Sequence, residues 1–382
     1  SKKYKKGNFK IIIMHCLRLI AFLQLCGISS SFAPRRSSPF AWARMVAAKP
    51  GDVWYSDPTL DRDRPHVLSN RDALMSDRVR FLLFRNKKVF VKDAADQSSE
   101  VQGLFLSRQE IAEEWISHDT SVVAWLGKKD ETDFYVIDLN PEAFPAPFEA
   151  KAGIASAPLR QFGDTMRAAE DAALYATANG IVEFHRSHMF CSKCGSSTTI
   201  AKAGACRRCS NPTCKTSVYP RIDTATIMLI TSPEETDGGD HVLLGRKKSW
   251  PAGRWSTLAG FVEVGETLEC CVAREVKEES GVKVEPESVR FVASQPWPFP
   301  RSLMAGFTAA AAPSPDGGLP AIQFDPHEME DVQWFSKKYV AERLDGGSSA
   351  LDFEPTEKEA EFHIPGKASL ARVLISTWAT GT

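Results

Sequence analysis

One segment of the chain, GFVEVGETLECCVAREVKEESGV over residues 260–282, most constrains the fold. Thr267 suits the N-cap of a helix, because its hydroxyl can accept a backbone N–H of the first turn. Leu268, Val272 and Val276 then recur four residues apart and form one apolar stripe. Since glycines stand on both sides, we predict a loop, a helix with one buried face, and a second loop.

The same helix carries acidic side chains on another face. Glu275 and Glu279 lie one turn apart, and Glu278 lies beside them. Like charges at this spacing destabilise a helix by roughly 0.2–0.5 kcal/mol per pair. Divalent cations remove that repulsion, and carboxylate oxygens are ligands that Mg²⁺ and Mn²⁺ prefer. Because Arg274 falls in register with the carboxylates, we predict a catalytic metal site rather than a solvated acidic face.

Five of the nine cysteines crowd into one short segment. Cys191 and Cys194 have the spacing of a knuckle in which both thiolates reach one ion. The spacing does not decide which two of Cys206, Cys209 and Cys214 would complete the site as its second pair of ligands. Four thiolates close the coordination sphere, so we predict structural zinc. We favour a clip between domains over a nucleic-acid-binding ribbon, since the sequence has no dense basic face around the cysteines.

Composition limits the choice of partners. The 382 residues are enough for two domains and a small insert, and the formal net charge is −1. No global basic field therefore attracts nucleic acid or an anionic membrane. A phosphate-bearing substrate must instead be held locally, by a few cations, backbone amides or bound metal.

The chain divides into four predicted segments. They are a targeting or disordered segment over 1–51, an α+β domain over 52–187, a zinc ribbon over 188–220 and the catalytic domain over 221–382. Residues 163–183 are predicted to be helical, and Asp237-Gly-Gly-Asp is predicted to be a hairpin turn. Apolar alternation predicts strands at Val79–Phe84, Val89–Val91, Val122–Leu126, Phe134–Ile137, Thr224–Ile230 and His241–Gly245.

The first fifty residues have the composition of a targeting sequence. No Asp or Glu precedes Asp52, and the apolar run Leu19–Ile28 is too short for a transmembrane helix. An Arg- and Ser-rich stretch follows, and the junction at Phe32 resembles the bipartite plastid presequences of algae with secondary plastids. We expect import into a plastid; mitochondrial targeting and a cytoplasmic protein with a disordered tail are the alternatives.

Shortly after the helical segment comes a proline-rich run, Ser294-Gln-Pro-Trp-Pro-Phe-Pro-Arg-Ser302. Proline stiffens the backbone and removes N–H donors. Trp297 and Phe299 can stack on a flat ring, while Gln295 and Ser302 can hydrogen-bond to its polar edges. We predict a substrate-binding loop; the alternative is a rigid surface loop.

These motifs together resemble a known family. Residues 260–282 match the Nudix signature at each fixed position: Gly260, Glu266, Arg274, Glu275, Val276, Glu278, Glu279, Gly281 and Val282. The order of cysteine ribbon, Tyr-Pro-Arg-Ile, Nudix segment and SQPWPFP is similar to the NADH pyrophosphatase (NudC-like) family from about residue 184 onward. Over residues 52–187 the resemblance is much weaker.

The resemblance implies a fold and an activity. We expect an α/β protein: a Nudix α/β/α sandwich with a mixed sheet, preceded by the zinc ribbon and the α+β domain. The family hydrolyses NADH or NAD⁺ to nicotinamide mononucleotide and AMP, includes enzymes that remove NAD caps from RNA, and forms homodimers. No membrane partner is expected.

The resemblance also assigns roles to single residues. It makes Cys209 and Cys214 the zinc partners of Cys191 and Cys194, with Cys206 where the family usually has a basic residue. Implied Mg²⁺ or Mn²⁺ contacts are Ala259 (through its backbone), Glu275, Glu279 and Glu328. Implied substrate contacts are Tyr219, Gln295, Pro296, Trp297, Pro298, Phe299, Pro300, Arg301, Ser302 and Ala371.

The predicted mechanism is attack by an activated water. Bound metal polarises the pyrophosphate and acidifies a water, a carboxylate takes the proton, and the water attacks phosphorus in line. Glu279 is our first choice for both ligand and base, and Arg274 is predicted to position the carboxylates. The predicted catalytic residues are Glu266, Arg274, Glu275, Glu278 and Glu279.

Several alternatives share much of this sequence evidence. The substrate could be NAD-capped RNA or another nucleoside-diphosphate-linked compound, because the reaction and the catalytic residues would be the same. A Lys/Arg track leading to the pocket would favour RNA, whereas the net charge of −1 argues against it. A non-catalytic ribbon module is disfavoured because the helix retains each acidic residue of the signature.

Overall fold

The computed structural model describes residues 53–63, 71–93, 100–143, 153–233, 240–344 and 362–381. These ranges belong to one compact unit. The targeting sequence lies outside the described residues, and so does the predicted hairpin turn except for Asp240. Within the described ranges, no helix combines the length and the apolar character that crossing a membrane requires.

Fifteen strands and six α-helices are present in these ranges. The strands are β1 Val79–Arg85, β2 Lys88–Asp93, β3 Val101–Gly103, β4 Val122–Lys129, β5 Thr132–Leu139, β6 Ile154–Ala157, β7 Thr198–Ala201, β8 Cys206–Cys209, β9 Ser217–Val218, β10 Asp223–Thr231, β11 His241–Arg246, β12 Leu258–Phe261, β13 Arg290–Trp297, β14 Ser302–Ala310 and β15 Asp331–Ser336. The helices are α1 Glu113–Ser117, α2 Leu159–Phe162, α3 Ala169–Ser187, α4 Leu268–Ser280, α5 Lys337–Ala341 and α6 Leu370–Thr380.

The amino-terminal part is built on a six-stranded sheet. The strand order is β3-β2-β1-β5-β4, and β6 also pairs with β2. Alternate residues of β1 point to opposite faces, so Leu82 and Phe84 join a core with α3, while Phe81 and Leu83 join a second core. The predicted α+β character is therefore present, and the predicted strands lie within longer observed ones.

The predicted helix over 163–183 is wrong at its beginning. Helix α3 begins at Ala169, because the residues before it pair with β3 instead. The N–H of Val101 donates to the carbonyl of Thr165, and the N–H of Arg167 donates to the carbonyl of Val101, both at 2.9 Å. These long-range backbone hydrogen bonds hold residues 165–167 in an extended course that local helical spacing cannot reveal.

A short three-stranded sheet, in the order β7-β8-β9, joins the two larger parts. Its inner side is fastened to α3 by Arg207, whose Nη1 lies 3.4 Å from Nδ1 of His185. The Arg207 guanidinium also donates to the hydroxyl and the carbonyl of Thr198, at 2.7 and 2.8 Å. His185 in turn contacts the carbonyl oxygen of Gly204 at 2.9 Å. Buried polar groups thus all find partners at this junction.

The carboxyl-terminal part is built on a second six-stranded sheet. The strand order is β13-β14-β10-β11-β15, with β12 pairing with β10. Only the β10–β14 pair is parallel, so the sheet is mixed. Met228 and Ile230 pack with Val272 of α4 on one face. On the other face, Gly306 of β14 faces Leu370 of α6. This arrangement is the predicted sandwich.

Candidate active site

The ends of α4, which carries the acidic cluster, are specified locally. The Thr267 hydroxyl accepts the N–H of Cys270 at 3.2 Å, which confirms the predicted N-cap. Gly281 ends the helix with a φ of 74°, a left-handed conformation that glycine adopts without steric cost. Val272 and Val276 are fully buried, as the apolar stripe predicts. The helix therefore has a defined start, stop and rotation, which fixes where its carboxylates point.

The two adjacent cysteines of α4 occupy different environments. Cys271 is fully buried, and its sulfur lies 3.2 Å from the hydroxyl of Thr226. Cys270 is exposed. Only Cys271 therefore has a packing role, because a step of one residue rotates a side chain by about 100° around a helix.

Arg274 is the hub of the cluster. Its Nε and Nη2 donate to Glu266 at 2.8 and 2.9 Å, and its Nη1 donates to Glu275 and to Glu278 at 2.9 Å. The Arg274 hydrogen bonds lower the pKa of Glu266 to about 2. The carbonyl of Phe261 accepts a further bond from Nη2 at 2.9 Å. One guanidinium thus connects three carboxylates to the loop before the helix, the role predicted for it.

Glu279 is the most buried carboxylate of the cluster, with 1% of its surface exposed. Its Oε2 accepts the backbone N–H of Ala259 at 3.1 Å, and its Oε1 lies 3.2 Å from Nζ of Lys247. Burial raises the pKa of Glu279 to about 7, although Lys247 opposes the shift. A carboxylate with a pKa near neutrality can take and release a proton at the pH of most cells.

Glu275 lies directly over Gly260, the glycine of β12 that begins the motif. A Cβ atom on Gly260 would lie 1.8 Å from Cδ of Glu275, so any other residue there would displace the carboxylate. Burial raises the pKa of Glu275, and the negative charges of Glu278 and Glu328 add to the shift. The glycine is needed for close approach, not for a positive φ.

Lys247 is a charged residue of this site that the sequence did not reveal. It follows directly after β11, outside each of the motifs, and its ammonium reaches Glu279 only because β11 pairs beside β10 in the sheet. In the described part of the chain it is the only cation within 4.0 Å of Glu279. A lysine so placed offsets the charge of this carboxylate when no metal is bound.

The residues present fit a divalent metal ion. Glu275 and Glu279 offer carboxylate oxygens that share one face of α4, and Ala259 brings its backbone to Glu279. Glu328 is exposed in a turn, where its N–H donates to the carbonyl of Asp325 at 3.0 Å, and its charge acts on Glu275. Oxygen-only donors with excess negative charge are typical of Mg²⁺ and Mn²⁺ sites.

The raised pKa of Glu279 predicts a pH-dependent stability. Between its ordinary value of 4.5 and about 7, the folded protein binds this proton more tightly than the unfolded chain does. Stability from Glu279 is therefore complete at low pH and is lost as the pH rises through the folded value. Relative to Glu279→Gln, the metal-free wild type should lose on the order of 3 kcal/mol between about pH 5 and about pH 8.

Urea unfolding of both proteins, without added divalent cations, measures this difference. Adding Mg²⁺ at the higher pH should stabilise the wild type and leave Glu279→Gln nearly unchanged. A difference between the two proteins that stays constant across the pH range would contradict the assignment of the proton to Glu279.

The proline-rich run forms one arm of a hairpin. Strand β13 extends through Trp297, which pairs with Ser302 at the start of β14. The turn between them is tied down at both ends: Pro298 accepts a hydrogen bond from Nδ2 of Asn179 at 2.7 Å, and Arg301 pairs with Asp223 at 2.9 Å. The extended course predicted for this run is therefore present up to Trp297.

Gln295 is directed into the protein. It is 1% exposed, and its Nε2 donates to the carbonyls of Trp54 and Ala368 at 3.2 and 3.0 Å. Its Oε1 accepts the N–H of Leu370 at 2.8 Å. Both amide hydrogens are used in this bracket between three distant segments, and the ligand contact of Gln295 stays a prediction.

The two aromatic residues of the run also pack inward. Tyr55, Trp297 and Phe299 form a triangle with ring centroids 5.2–6.0 Å apart in edge-to-face geometry. These rings join the core that contains α3. The loop therefore connects the two large sheets, and of its members Pro296, Trp297, Phe299, Arg301 and Ser302 stay partly exposed, Pro300 is exposed, and Pro298 is buried.

Two further predicted contacts differ in accessibility. Tyr219 is 54% exposed, and its hydroxyl accepts a hydrogen bond from Nζ of Lys202 at 3.1 Å. Ala371 is buried in α6, so its side chain is not available at the surface. Any contact there would have to come from the amino-terminal turn of α6 as a whole.

A cavity lies beside the aromatic triangle, between the amino-terminal part and the carboxyl-terminal sheet. Its lining includes Tyr55, Arg160, Asp164, Arg254, Trp297 and Ser369. The buried Nε of Arg254 has no hydrogen-bond partner among the described residues. Burial lowers the pKa of this guanidinium. Two arginines and a carboxylate in one cavity suit a ligand with both anionic and hydrogen-bonding groups.

The structure groups the four cysteines that the resemblance selects. The sulfurs of Cys191, Cys194, Cys209 and Cys214 all lie within 4.8 Å of one another. Cys206 is fully buried elsewhere, with its sulfur 3.9 Å from the carbonyl oxygen of Ala201. Hydrogen bonds from Ser196 lower the pKa of the Cys194 thiol to about 6. The donor set fits a tetrahedral ion such as Zn²⁺.

Comparisons with known proteins agree with this geometry. A model described as NUDIX domain matches residues 222–352. The chain is 37% identical over 215 residues to the NAD-capped RNA hydrolase NUDT12 of Homo sapiens, covering 55% of this chain and 42% of that protein. It is 38% identical over 206 residues to the NAD-capped RNA hydrolase NudC of Mycobacterium bovis, covering 54% of this chain and 60% of that protein.

The chain thus spans between about two fifths and three fifths of the length of these curated relatives. Among solved structures, it is 23% identical to a NUDIX hydrolase from Nitrosomonas europaea, with a TM-score of 0.31, covering 46% of this chain and 97% of that one. The mixed sheet, the glycine-bracketed helix and its carboxylates define a Nudix domain. Residues 222–352 match the Nudix domain, and a longer stretch of the chain is similar to NudC-like hydrolases.

Proposed function

We propose that this protein is an NAD(H) pyrophosphatase that splits NADH or NAD⁺ into nicotinamide mononucleotide and AMP. The observation that carries the proposal is the buried Glu279 with a pKa near 7, beside Glu275 and the Arg274 hub. Carboxylates held together in this way suit the binding of a divalent metal ion, which metal-assisted hydrolysis uses. The names of the relatives, both NAD-capped RNA hydrolases, support an NAD-type substrate.

Each side chain has a distinct task in this reaction. Glu275, Glu279 and Glu328 would hold Mg²⁺ or Mn²⁺. When bound, such a cation would offset the charge of the carboxylates and the pyrophosphate. It would also lower the pKa of a water, so that the water loses a proton and becomes a nucleophile at neutral pH. The Glu279 carboxylate accepts the proton of the attacking water at Oε1 or Oε2.

Arg274 keeps these groups in position during the reaction. Its hydrogen bonds hold Glu275 against Gly260 and Glu266 against the loop, so neither carboxylate has to reorganise. Lys247 contacts Glu279 only through Oε1, which leaves its ammonium able to turn toward a phosphate oxygen. The leaving AMP or mononucleotide phosphate departs on the side opposite the attacking water.

The cavity between the two large sheets, with a volume of about 40 Å³, is the proposed position of one small polar group of the dinucleotide. Arg160 and Arg254 offer guanidinium donors, and Trp297 offers an aromatic edge. A ribose, a phosphate or a carboxamide group has acceptors that match these donors. The Gln295 bracket acts indirectly, since it holds the cavity walls at Ala368 and Leu370 together.

Turnover on a panel of NADH, NAD⁺, NADPH, ADP-ribose and an NAD-capped RNA tests the proposal. We expect hydrolysis of at least one NAD-type dinucleotide, with Mg²⁺ or Mn²⁺ required and mononucleotide and AMP as products. Hydrolysis confined to ADP-ribose would favour the alternative, a pyrophosphohydrolase for other nucleoside-diphosphate-linked substrates. A protein that leaves each compound of the panel intact would contradict the proposal.

We further propose that the working protein is a homodimer. Large apolar side chains are exposed next to the motif: Ile222, Phe261 and Val264. Ile222 and Phe261 border the same shallow depression. Exposed apolar surface of this kind is typical of protein interfaces. Light scattering coupled to size exclusion should give twice the chain mass, and a monomeric mass would contradict the dimer.

Three other proposals complete the description. The ion at the four cysteines is proposed to be structural Zn²⁺, because four thiolates leave no open coordination position. The division into segments 52–187, 188–220 and 221–382 is proposed because each segment contains one of the three sheets.

Import into a plastid is proposed from the presequence composition, and a fluorescent fusion of the full chain that stays in the cytoplasm would contradict it.

A further inference from the structure

The ribbon segment has an uneven charge that the net charge of the whole chain conceals. Residues 184–222 contain seven Lys or Arg and no Asp or Glu. Three of these cations are used internally: Arg186 pairs with Asp138, Arg207 is buried against His185 and Thr198, and Arg221 pairs with Asp223. The other four, Lys193, Lys202, Arg208 and Lys215, are exposed.

Strand pairing places polar groups side by side on the outer face of this sheet. Arg208 pairs with Thr199 of β7 and with Ser217 of β9, so these three side chains share one face. Arg208 and Thr199 are exposed, whereas the neighbouring Arg207 and Cys209 are buried on the opposite face. The pleat therefore separates a buried polar junction from an outer face.

This outer face continues in both directions along the strands. At one end Ser197 and Ser210 are exposed and lie 2.9 Å apart through their hydroxyls, and Lys215 is exposed in the turn before β9. At the other end Lys202 donates to the hydroxyl of Tyr219. Hydroxyls and cations thus line the face, which has no carboxylate, and it ends at an exposed aromatic ring.

We propose that this outer face of the ribbon sheet binds the phosphate–sugar backbone of a single-stranded RNA whose 5′ end enters the hydrolytic site. Lys, Arg, Ser and Thr are the side chains that contact nucleic-acid backbones, and an exposed tyrosine can stack on a base. The absence of carboxylates along the face favours a polyanion. Hydroxyls and an aromatic ring favour a nucleic acid over an acidic peptide.

The face also leads toward the carboxylate site. Tyr219 stands five residues before Thr224, whose carbonyl accepts the N–H of Val262 in the Nudix loop at 3.1 Å. Five extended residues span about 17 Å. The proposal rests on the proposed function in taking a capped 5′ end as the group that is cleaved, and it makes the ribbon a second contact for the same substrate.

Charge reversal of the face tests the proposal directly. The variant Arg208→Glu/Lys215→Glu changes two exposed cations that the hydrolytic mechanism does not use. Binding of a fluorescent single-stranded RNA of roughly 20 nucleotides should weaken at least tenfold, and the slope of log K against log salt should fall by about 1.4 for two lost phosphate contacts. The KM for NAD-capped RNA should rise, while the kcat and KM for NADH stay unchanged.

A matched control reverses two cations on the amino-terminal sheet. Lys88→Glu/Lys92→Glu makes the same change in net charge at exposed positions of β2 and should leave RNA binding at the wild-type level. Bound zinc and circular dichroism report whether each variant keeps the ribbon folded. Equal losses in both variants, or full RNA binding by the first, would overturn the proposal.

Two other results separate this proposal from the proposed function. Wild-type protein that hydrolyses NADH but does not bind the RNA would overturn the RNA-binding face and leave the pyrophosphatase intact. Competition by polyglutamate as strong as that by RNA would show a general surface for acidic chains, and it would overturn the assignment to RNA.

Discussion

Replacing Glu279 by Gln should reduce hydrolysis of NADH by roughly 10²- to 10⁴-fold, the range expected when a general base is removed. The amide keeps the size of the side chain and its hydrogen bond to Ala259, so folding should survive. It can neither accept a proton nor offer a charged oxygen to the metal. The loss should appear in kcat, and the affinity for Mn²⁺, measured by electron paramagnetic resonance, should also fall.

The matched control for this experiment lies on the same helix. Glu269→Gln changes an acidic residue of the first turn that is exposed and outside the Arg274 network, and it should retain wild-type kcat. Glu278→Gln is a graded test, because Glu278 is exposed and contacts Arg274 alone among the described residues. Full activity of Glu279→Gln would remove the central residue of the proposed mechanism.

Replacing Cys209 by Ser should abolish zinc binding and unfold the ribbon. Apparent binding energies of structural zinc are about 10–16 kcal/mol, more than the stability of most domains. The ribbon has little apolar surface to compensate, since its buried groups include Arg207 and Thr198. We expect a large fall in melting temperature, together with loss of NADH hydrolysis, because the ribbon lies between the two large sheets in the chain.

Cys206 and Cys270 supply the controls for the zinc experiment. Cys206→Ser should retain zinc, measured by atomic emission, because its sulfur lies outside the cluster. Some loss of stability is expected there, as Cys206 is fully buried. Cys270→Ser, at an exposed position, should change neither zinc content nor stability. Zinc retained by Cys209→Ser and lost by Cys206→Ser would reverse the choice of ligands.

The predictions that the structure bears out concern local features. The N-cap at Thr267 and the apolar stripe of α4 follow from spacing within a few residues, whereas the mixed sheet of the sandwich was implied by the family resemblance. Helical and strand periodicities are set by the backbone itself, so they can be predicted from one sequence. Spacing predicted only the pair Cys191 and Cys194; the choice of Cys209 and Cys214, which the structure groups with them, came from the family resemblance.

The differences concern contacts between distant segments. Gln295 hydrogen-bonds to Trp54, which stands 241 positions earlier, so its amide is occupied within the protein. Helix α3 begins late because the backbone around Val101 captures residues 165–167. The sequence around Gln295 does not reveal Trp54 as its partner, and the sequence around residues 165–167 does not reveal Val101. Hydrogen bonds over such separations depend on the topology of the whole chain.

The amino-acid sequence by itself determined the acidic helix and the first cysteine knuckle, since a few neighbouring residues suffice to define each of them. Only the tertiary structure decided how these parts are used. It buried Glu279 beside Lys247, which sets the pKa of the proposed base, and it placed Arg208 and Arg207 on opposite faces of one strand. The burial and the orientation of a side chain depend on the segments that pack against it, and these segments lie far apart in the chain.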